Sequence, residues 1–556
     1  MLDKKHISLV IVLALAVVGS LYFEAIKPDK FGFYHDDGIY LVTAKALATG
    51  QGYKILSLPG EPWQTKYPPL YPLALSILWQ ANPDFPGNLV LFFVFSILSM
   101  LIFHALTAAY LVKKSFTGPV QVLLILLLTA FNWRVLILAT SILSEALYSV
   151  LALCVLWLAS SEGKRPAGQK GLWLGVSLAL LLVLAALTRL VGISLLAAVL
   201  FYSLKRREIR RFLLPIVLSV SIIAGWFLWC YLHQSSSIGT HIAYYTNYFQ
   251  DWHSLIRSDE LGVQGSFLGS LASMVGKNVV TMLSIIPVLC FGMEINKVQT
   301  IPEAWQFPAI LIGLSSLILL FIGFYKTRSA ENGLLHYYIL AYLAMHLLWP
   351  YTIFDRFLIP ILPFLLLFIV SGGAAMLSGC LKATPAHKRK ERIIRLVFSC
   401  IFLASLFVTA CLGLTFGLRD QLKYAKTRYE AEAQQKRELT EWLKANSRDG
   451  DILVCYQDPV YFLNAGIKAI RLLPPRQNEP FMSYADRLQR LIKENKATLL
   501  LQTANDFSLQ SDIAHKRTTL AETLNNRPAY FAPVYFTRDR EGAVFRIMPD
   551  KKFNAK

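Results

Sequence analysis

Charge is what this chain has least of. Only 16% of its 556 residues are charged, 55% are hydrophobic and the mean hydropathy is +0.47, whereas soluble proteins average about 25% charged residues. The deficit excludes a soluble multidomain enzyme and makes lipid the expected solvent. Paired cysteines are missing as well. The seven cysteines have no paired spacing, and Cys154, Cys230, Cys290, Cys380, Cys400 and Cys411 lie in or beside apolar stretches, so neither a disulfide framework nor a zinc site is implied. No asparagine opens an Asn-x-Ser/Thr sequon, which is unusual for a large protein facing an endoplasmic reticulum lumen and favours a bacterial inner membrane. The first apolar run follows Lys4 and Lys5 without a small-residue cleavage site, so it reads as a retained anchor rather than a signal peptide.

The charge that is present is unevenly placed. The formal net charge of +20 would suit a nucleic-acid partner if it formed a patch, but short loops beside apolar segments hold 20 basic and 5 acidic residues, most of the excess. That is the positive-inside bias, and no nucleic-acid partner is expected. Apolar windows long enough to cross a bilayer fall near 7–23, 88–112, 119–138, 142–160, 171–188, 190–204, 212–232, 305–325, 334–351, 357–378 and 396–417, about eleven spans. The clusters Lys4/Lys5, Lys113/Lys114, Lys164/Arg165/Lys170, Lys205 to Arg211, Lys326/Arg328 and Lys382 to Arg395 then share one side, with the N-terminus inside. The apolar stretch 279–293 would reverse the last two clusters if it crossed, so it is expected to be interfacial or re-entrant. An odd number of crossings places everything after about residue 418 outside the cytoplasm.

The expected fold is therefore a polytopic α-helical membrane protein, with a membrane domain over 1–417 and a soluble domain over 418–556. The first external loop, 24–87, is too long for a connector. It contains two helix-like pieces, one from Asp37 to Ala48 ended by Thr49-Gly50-Gln51-Gly52 and one after Pro68-Pro69, both read as juxtamembrane helices. The tail alternates helix and strand. Helices are expected at 438–445, 459–464, 484–493 and 513–525, strands at 451–456, 468–473 and 497–502, and a hairpin at 531–538 and 543–548, which makes a small α/β domain. It has no Gly-rich phosphate loop, metal-ligand spacing or nucleophile elbow.

Ionisable residues at the ends of apolar segments are costly and become functional candidates by default. Under this topology Asp36, Asp37, Lys66, Glu145, Arg189, Asp355 and Arg356 all collect on the outer side, whereas a transporter is expected to place intramembrane charge near mid-depth. Adjacent carboxylates suit general-base work, one group tuning its neighbour, or hold a metal. Each residue also has a plainer reading. Asp36-Asp37 would serve as a helix cap, Glu145 as an N-terminal dipole partner, Arg189 as a snorkelling cation and Arg356 as the partner of Asp355. Tyr244, Tyr245, Tyr248, Phe249, Trp252 and His253 suit sugar stacking or an interfacial aromatic belt. Tyr456-Gln-Asp-Pro-Val-Tyr461 suits acceptor contact or an ordinary strand-to-helix turn.

The run His35-Asp-Asp-Gly-Ile-Tyr-Leu-Val-Thr-Ala-Lys-Ala-Leu-Ala-Thr-Gly-Gln-Gly-Tyr53, then Lys66-Tyr-Pro-Pro-Leu-Tyr-Pro72, then Asp355-Arg-Phe-Leu-Ile-Pro-Ile-Leu-Pro-Phe364 resembles the GT-C superfamily of membrane glycosyltransferases. The resemblance covers residues 1 to about 417 and is nearest to bacterial relatives of protein O-mannosyltransferases and of the transferase that adds aminoarabinose to lipid A. It implies a polyprenyl-phosphate sugar donor and a catalytic Asp in the first external loop. Carried over by motif, Asp36 is the general base and Asp37 its partner, Lys66 and Arg356 bind the donor phosphate together with Arg189, and Glu145 serves a metal or the acceptor. Many members have Asp-Glu where this chain has Asp-Asp, which leaves open which carboxylate is the base and whether a divalent metal is held. The acceptor, a glycan, lipid or protein, is left open too. A flippase or transporter of lipid-linked sugars is the competing reading, and few polar groups line the spans such a path would need.

Overall fold

The computed structural model describes residues 4–160, 169–234, 245–246, 267–291, 303–329, 333–351, 353, 355–382, 389–476, 479–504, 506–507 and 513–548. Of the aromatic loop residues named above, only Tyr245 is among them, and the basic residues Lys164, Arg165 and Lys388 also lie outside. The chain forms two compact units. One comprises Met1–Ile26, Phe93–Trp226 and Leu271–Tyr424, and the other Lys27–Phe92, Phe227–Ser270 and Ala425–Lys556.

Each expected span is helical, but fewer helices have spanning length. Among the described residues six are long and apolar enough to cross a membrane: Leu89–Lys113, Gln169–Thr188, Ile209–His233, Phe267–Cys290, Ile310–Thr327 and Asp355–Ser378. The pair Pro119–Ala130 and Trp133–Ala139, bent by 63°, makes a seventh if it is one span. The segments expected at 142–160, 190–204 and 334–351 are the shorter helices Glu145–Ala159, Leu190–Lys205 and Gly333–Leu347. At 1.5 Å per residue, helices of about 15 residues reach roughly 22 Å, short of a hydrocarbon core of about 30 Å. Polar residues such as Ser144, Glu145 and Arg189 interrupt the apolar runs and end these helices early. The stretch 279–290 belongs to a longer helix that starts at Phe267 and is 24 residues long, because the less apolar segment 267–278 continues it toward its N-terminus. At roughly 36 Å it has the length of a span. The segment 396–417 lies inside one long helix, Arg389–Asn446.

Within the first unit the helices pack closely where side chains are smallest. A Cβ on Gly323 would lie 1.7 Å from the Phe368 carbonyl oxygen, and one on Gly372 would lie 2.0 Å from that of Leu319. Glycine at both positions lets two helix backbones touch, as small residues do in membrane helix pairs. The bend after Ala130 has a local cause. Asn132 has an extended backbone and its side chain accepts the Arg134 N–H at 3.0 Å, capping a new helix. Its amide nitrogen donates to the Leu289 carbonyl at 2.7 Å.

The second unit holds the first loop and the tail. The helices His35–Ala48 and Leu70–Ala81 stand where the sequence predicts them, the first ended by Gly50 and Gly52 at φ +73° and +83°. In the tail the strands β1 (Ile452–Cys455), β2 (Lys468–Arg471), β3 (Leu499–Gln502), β4 (Phe531–Phe536) and β5 (Ala543–Ile547) form one sheet in the order β2-β1-β3-β5-β4. β1 is parallel to β2 and β3, while β5 is antiparallel to β3 and β4. The helices Asp458–Ala465, Phe481–Asn495 and Ile513–Asn525 alternate with the strands. Leu439, Leu443, Leu453, Tyr461, Leu499, Leu501 and Val544 make the core. The free edge of β2 is covered by the first loop, where Ser57 O accepts the Ala469 N–H at 2.8 Å and Lys468 Nζ reaches Glu61 at 2.6 Å.

Candidate active site

The two acidic residues of the motif occupy the first turn of the helix His35–Ala48, where the positive end of the helix dipole favours them. Their surroundings differ sharply. Asp37 is buried; its Oδ1 accepts the Gly38 N–H at 2.7 Å and its Oδ2 the Gly32 N–H at 3.0 Å. Burial pushes its carboxyl up to about 7, against the two amides and Lys436. Burial also brings Lys30 down to about 7, with Asp37 opposing, and lowers Lys436. Asp36 is only half-buried, and its Oδ1 accepts the Tyr67 hydroxyl at 2.8 Å. Asp37 is thus bound into the backbone, and Asp36 is the more exposed of the two carboxylates.

Lys66 is brought to this helix through its neighbours. The Lys66 and Tyr67 amides both donate to Gln64 Oε1 at 3.1 Å, and the Tyr53 hydroxyl donates to the Tyr67 carbonyl at 2.9 Å. Thr65 donates its hydroxyl to the carbonyl of Thr246. The turn before Pro68-Pro69 is therefore fixed on both sides of the lysine, which is half-buried.

His35, which opens the same helix, has a partner far along the chain. Its Nε2 is 2.8 Å from Asp458 Oδ1, and the Tyr245 hydroxyl donates to that oxygen at 2.7 Å. Burial lowers the imidazole pKa, with Arg471 adding to the effect and Asp458 and Asp36 opposing it. Tyr245 is 1% exposed, so it is an anchor and not a sugar-stacking platform. The segment Tyr456 to Tyr461 is a strand-to-helix turn in which Asp458, Pro459, Val460 and Tyr461 are all buried, so those four residues are closed to an acceptor.

Glu145, Arg189 and Arg356 meet in the first unit. Glu145 opens its helix fully buried, with Arg189 Nη1 at 2.9 Å and Arg356 Nε at 3.8 Å from its Oε1. Arg189 also donates to the Ser144 hydroxyl at 3.1 Å, and both guanidiniums lie over the Phe357 ring. Arg189 is thus held in an ion pair, and Glu145 is an ion-pair partner as well as a helix opener. Among the described residues the Asp355 side chain makes its ion pair with Arg134: Oδ2 lies 2.6 Å from Arg134 Nε, and Oδ1 accepts the Arg356 backbone N–H at 2.8 Å. Two guanidiniums around one carboxylate leave a formal positive excess suited to an anion.

Sequence reasoning missed Arg134 and Lys436, and it quoted Tyr67 and Asp458 only inside the Lys66–Pro72 and Tyr456–Tyr461 segments, without a role of their own. Arg134 follows the helix-opening Asn132-Trp133, a signal available in the sequence, whereas the pairing of Asp458 with His35 had none. Among the described residues no group of three or more His, Cys, Asp or Glu side chains has the arrangement of a metal site.

No family model matches the chain, and no curated protein matches it. The solved structures similar to it include two of one protein. ArnT from Cupriavidus metallidurans bound to undecaprenyl phosphate is 13% identical with a TM-score of 0.48, the alignment covering 97% of this chain and 98% of that one. The same protein in the apo state is 14% identical with a TM-score of 0.47 and the same coverage.

Proposed function

We propose that this protein is a membrane glycosyltransferase of GT-C type that moves a sugar from a polyprenyl-phosphate donor to an acceptor on the extracytoplasmic side, with inversion. The observation that carries the reading is the division of labour in the acidic pair, a buried Asp37 fastened by two backbone amides beside a half-buried Asp36 that accepts the Tyr67 hydroxyl. The motifs that resemble the superfamily supply the reaction class.

In this reading Asp36 takes the proton of the acceptor hydroxyl as its oxygen bonds to the anomeric carbon. The bond from that carbon to the phosphate oxygen breaks, and its electrons leave with the polyprenyl phosphate. A phosphate is already a good leaving group, so one base is sufficient, and a single displacement inverts the anomeric centre. Lys66, Arg189 and Arg356 are assigned to the phosphate, where fixed positive charge stabilises the departing anion. Glu145 orients the two arginines. A bilayer-embedded lipid tail accounts for an enzyme made largely of apolar helices.

The side of the membrane is argued from charge and from packing. The basic clusters put the N-terminus inside and the first loop outside. The first loop, Phe227–Ser270 and the tail belong to one compact unit, which supports a common side for all three. The crossings between loop and tail are then even in number, which favours ten and keeps one of the apolar helices from a full crossing.

The test is transfer of a labelled sugar from a polyprenyl-phosphate donor by the purified protein. Release of polyprenyl phosphate together with labelled acceptor is expected. Movement of intact donor across proteoliposomes without release of phosphate would replace the transferase with a flippase.

A further inference from the structure

The tail was read from sequence as a separate soluble domain, yet its residues close around the acidic motif. Gln457 Nε2 donates to the Gly32 carbonyl at 2.6 Å, and Lys436 Nζ donates to the Phe31 carbonyl at 2.6 Å. A Cβ on Gly38 would lie 2.8 Å from Pro459 Cβ, and one on Gly32, whose φ is +93°, would lie 2.6 Å from Val460 Cγ2. The segment from Phe31 to Gly38, which contains both carboxylates, is thus bounded by residues more than 400 positions later in the chain.

Asp458 stands at the centre of this contact. It is 0% exposed and its Oδ1 is hydrogen-bonded to His35, while its Oδ2 has no hydrogen bond among the described residues. A buried carboxylate is costly, and a well-packed apolar side chain would serve stability as well or better. What the carboxylate adds is direction. By accepting from His35 Nε2 it selects the imidazole tautomer and fixes the plane of the ring. His35 immediately precedes Asp36, so fixing the ring fixes the helix start that aims Asp36 at the Tyr67 hydroxyl.

We infer that the C-terminal domain is a working part of the acidic-motif site, with Asp458 as a positioning residue that acts through His35 to orient Asp36. This rests on the transferase reading above, in which Asp36 is the base. Tyr245 supports the same oxygen, so three chain segments converge on one buried atom.

The experiment is a double-mutant cycle in the full-length protein, with Asp458→Asn, His35→Asn and their combination measured for kcat, donor KM and melting temperature. Asp458→Asn should lower kcat by about 10- to 100-fold, the scale of a small misplacement of a reacting group, with donor KM and melting temperature nearly unchanged. In the His35→Asn background it should cost little more. Tyr245→Phe removes one hydrogen bond to the same oxygen and keeps the ring, so it serves if Asp458→Asn fails to fold. Its smaller loss of kcat should likewise vanish without His35. Normal kcat in a folded Asp458→Asn or Tyr245→Phe, or losses that simply add to that of His35→Asn, would overturn the inference. An Asp36→Asn arm separates the two claims, because full activity there removes the transferase reading itself.

Discussion

Arg134 Nε stands 2.6 Å from Asp355 Oδ2, and this pair takes up the carboxylate side chain beside Arg356 in sequence. Arg356 is left to share Glu145 with Arg189. If Arg356 binds the donor phosphate, Arg356→Ala and Arg356→Lys should both raise donor KM and lower turnover, because a point charge does not replace a planar bidentate group. Unchanged donor affinity in Arg356→Ala would end the phosphate role.

Asp36→Asn keeps the shape of the side chain and its capping ability while removing the proton acceptor. Expression and melting temperature should match wild type, with transfer reduced by about 10² to 10⁴. Asp37→Asn should cost less in turnover, since Asp37 is held by the Gly32 and Gly38 amides and is closed to substrate. The reverse ranking would move the base to Asp37. A chelator belongs in the same assay, where inhibition reversed by a divalent ion would show a metal at work.

The raised Asp37 carboxyl has a pH consequence. The folded protein holds this proton up to about 7 whereas an unfolded chain loses it near 3.8. The group's contribution is therefore most favourable below the unfolded value and is lost as pH rises toward about 7. The wild-type melting temperature relative to that of Asp37→Asn should fall between about pH 4.5 and 7. A flat difference would show that Asp37 is ionised throughout.

Gly323→Ala should weaken the pairing of Ile310–Thr327 with Leu362–Lys382. The added methyl meets the Phe368 carbonyl at 1.7 Å, and backbone cannot step aside as a side chain can. A loss of about 1–3 kcal/mol is expected from overpacking at such a site, read as a lower melting temperature. Wild-type stability would mean the two helices do not touch there.

A reporter active only in the periplasm should be active when fused after Gly417 and silent when fused after Arg328. The opposite pattern would place the first loop and the tail in the cytoplasm together, because they share one compact unit.

Composition and periodicity carried the membrane class, the first-loop helix that ends at Ala48, the start of the one after Pro68-Pro69, and the helix and strand order of the tail. These depend on residues close in sequence, such as the Asp pair before an apolar run, the glycines after Ala48, and the turn Asp539-Arg540-Glu541-Gly542 between β4 and β5. Span number was less legible, because hydropathy windows do not register the polar interruptions at Ser144-Glu145 and Arg189 that shorten helices. The candidate residues were legible as costly charges, but their pairings were not. Asp355 and Arg356 are neighbours in the chain and pair elsewhere, while His35 and Asp458 are 423 positions apart and lie 2.8 Å from each other. Which carboxylate is buried, which arginine is shared and which part of the tail touches the motif depend on the path of the chain in space. Burial and ion pairing act over a few ångströms whatever the separation in sequence, so only the tertiary structure decided them.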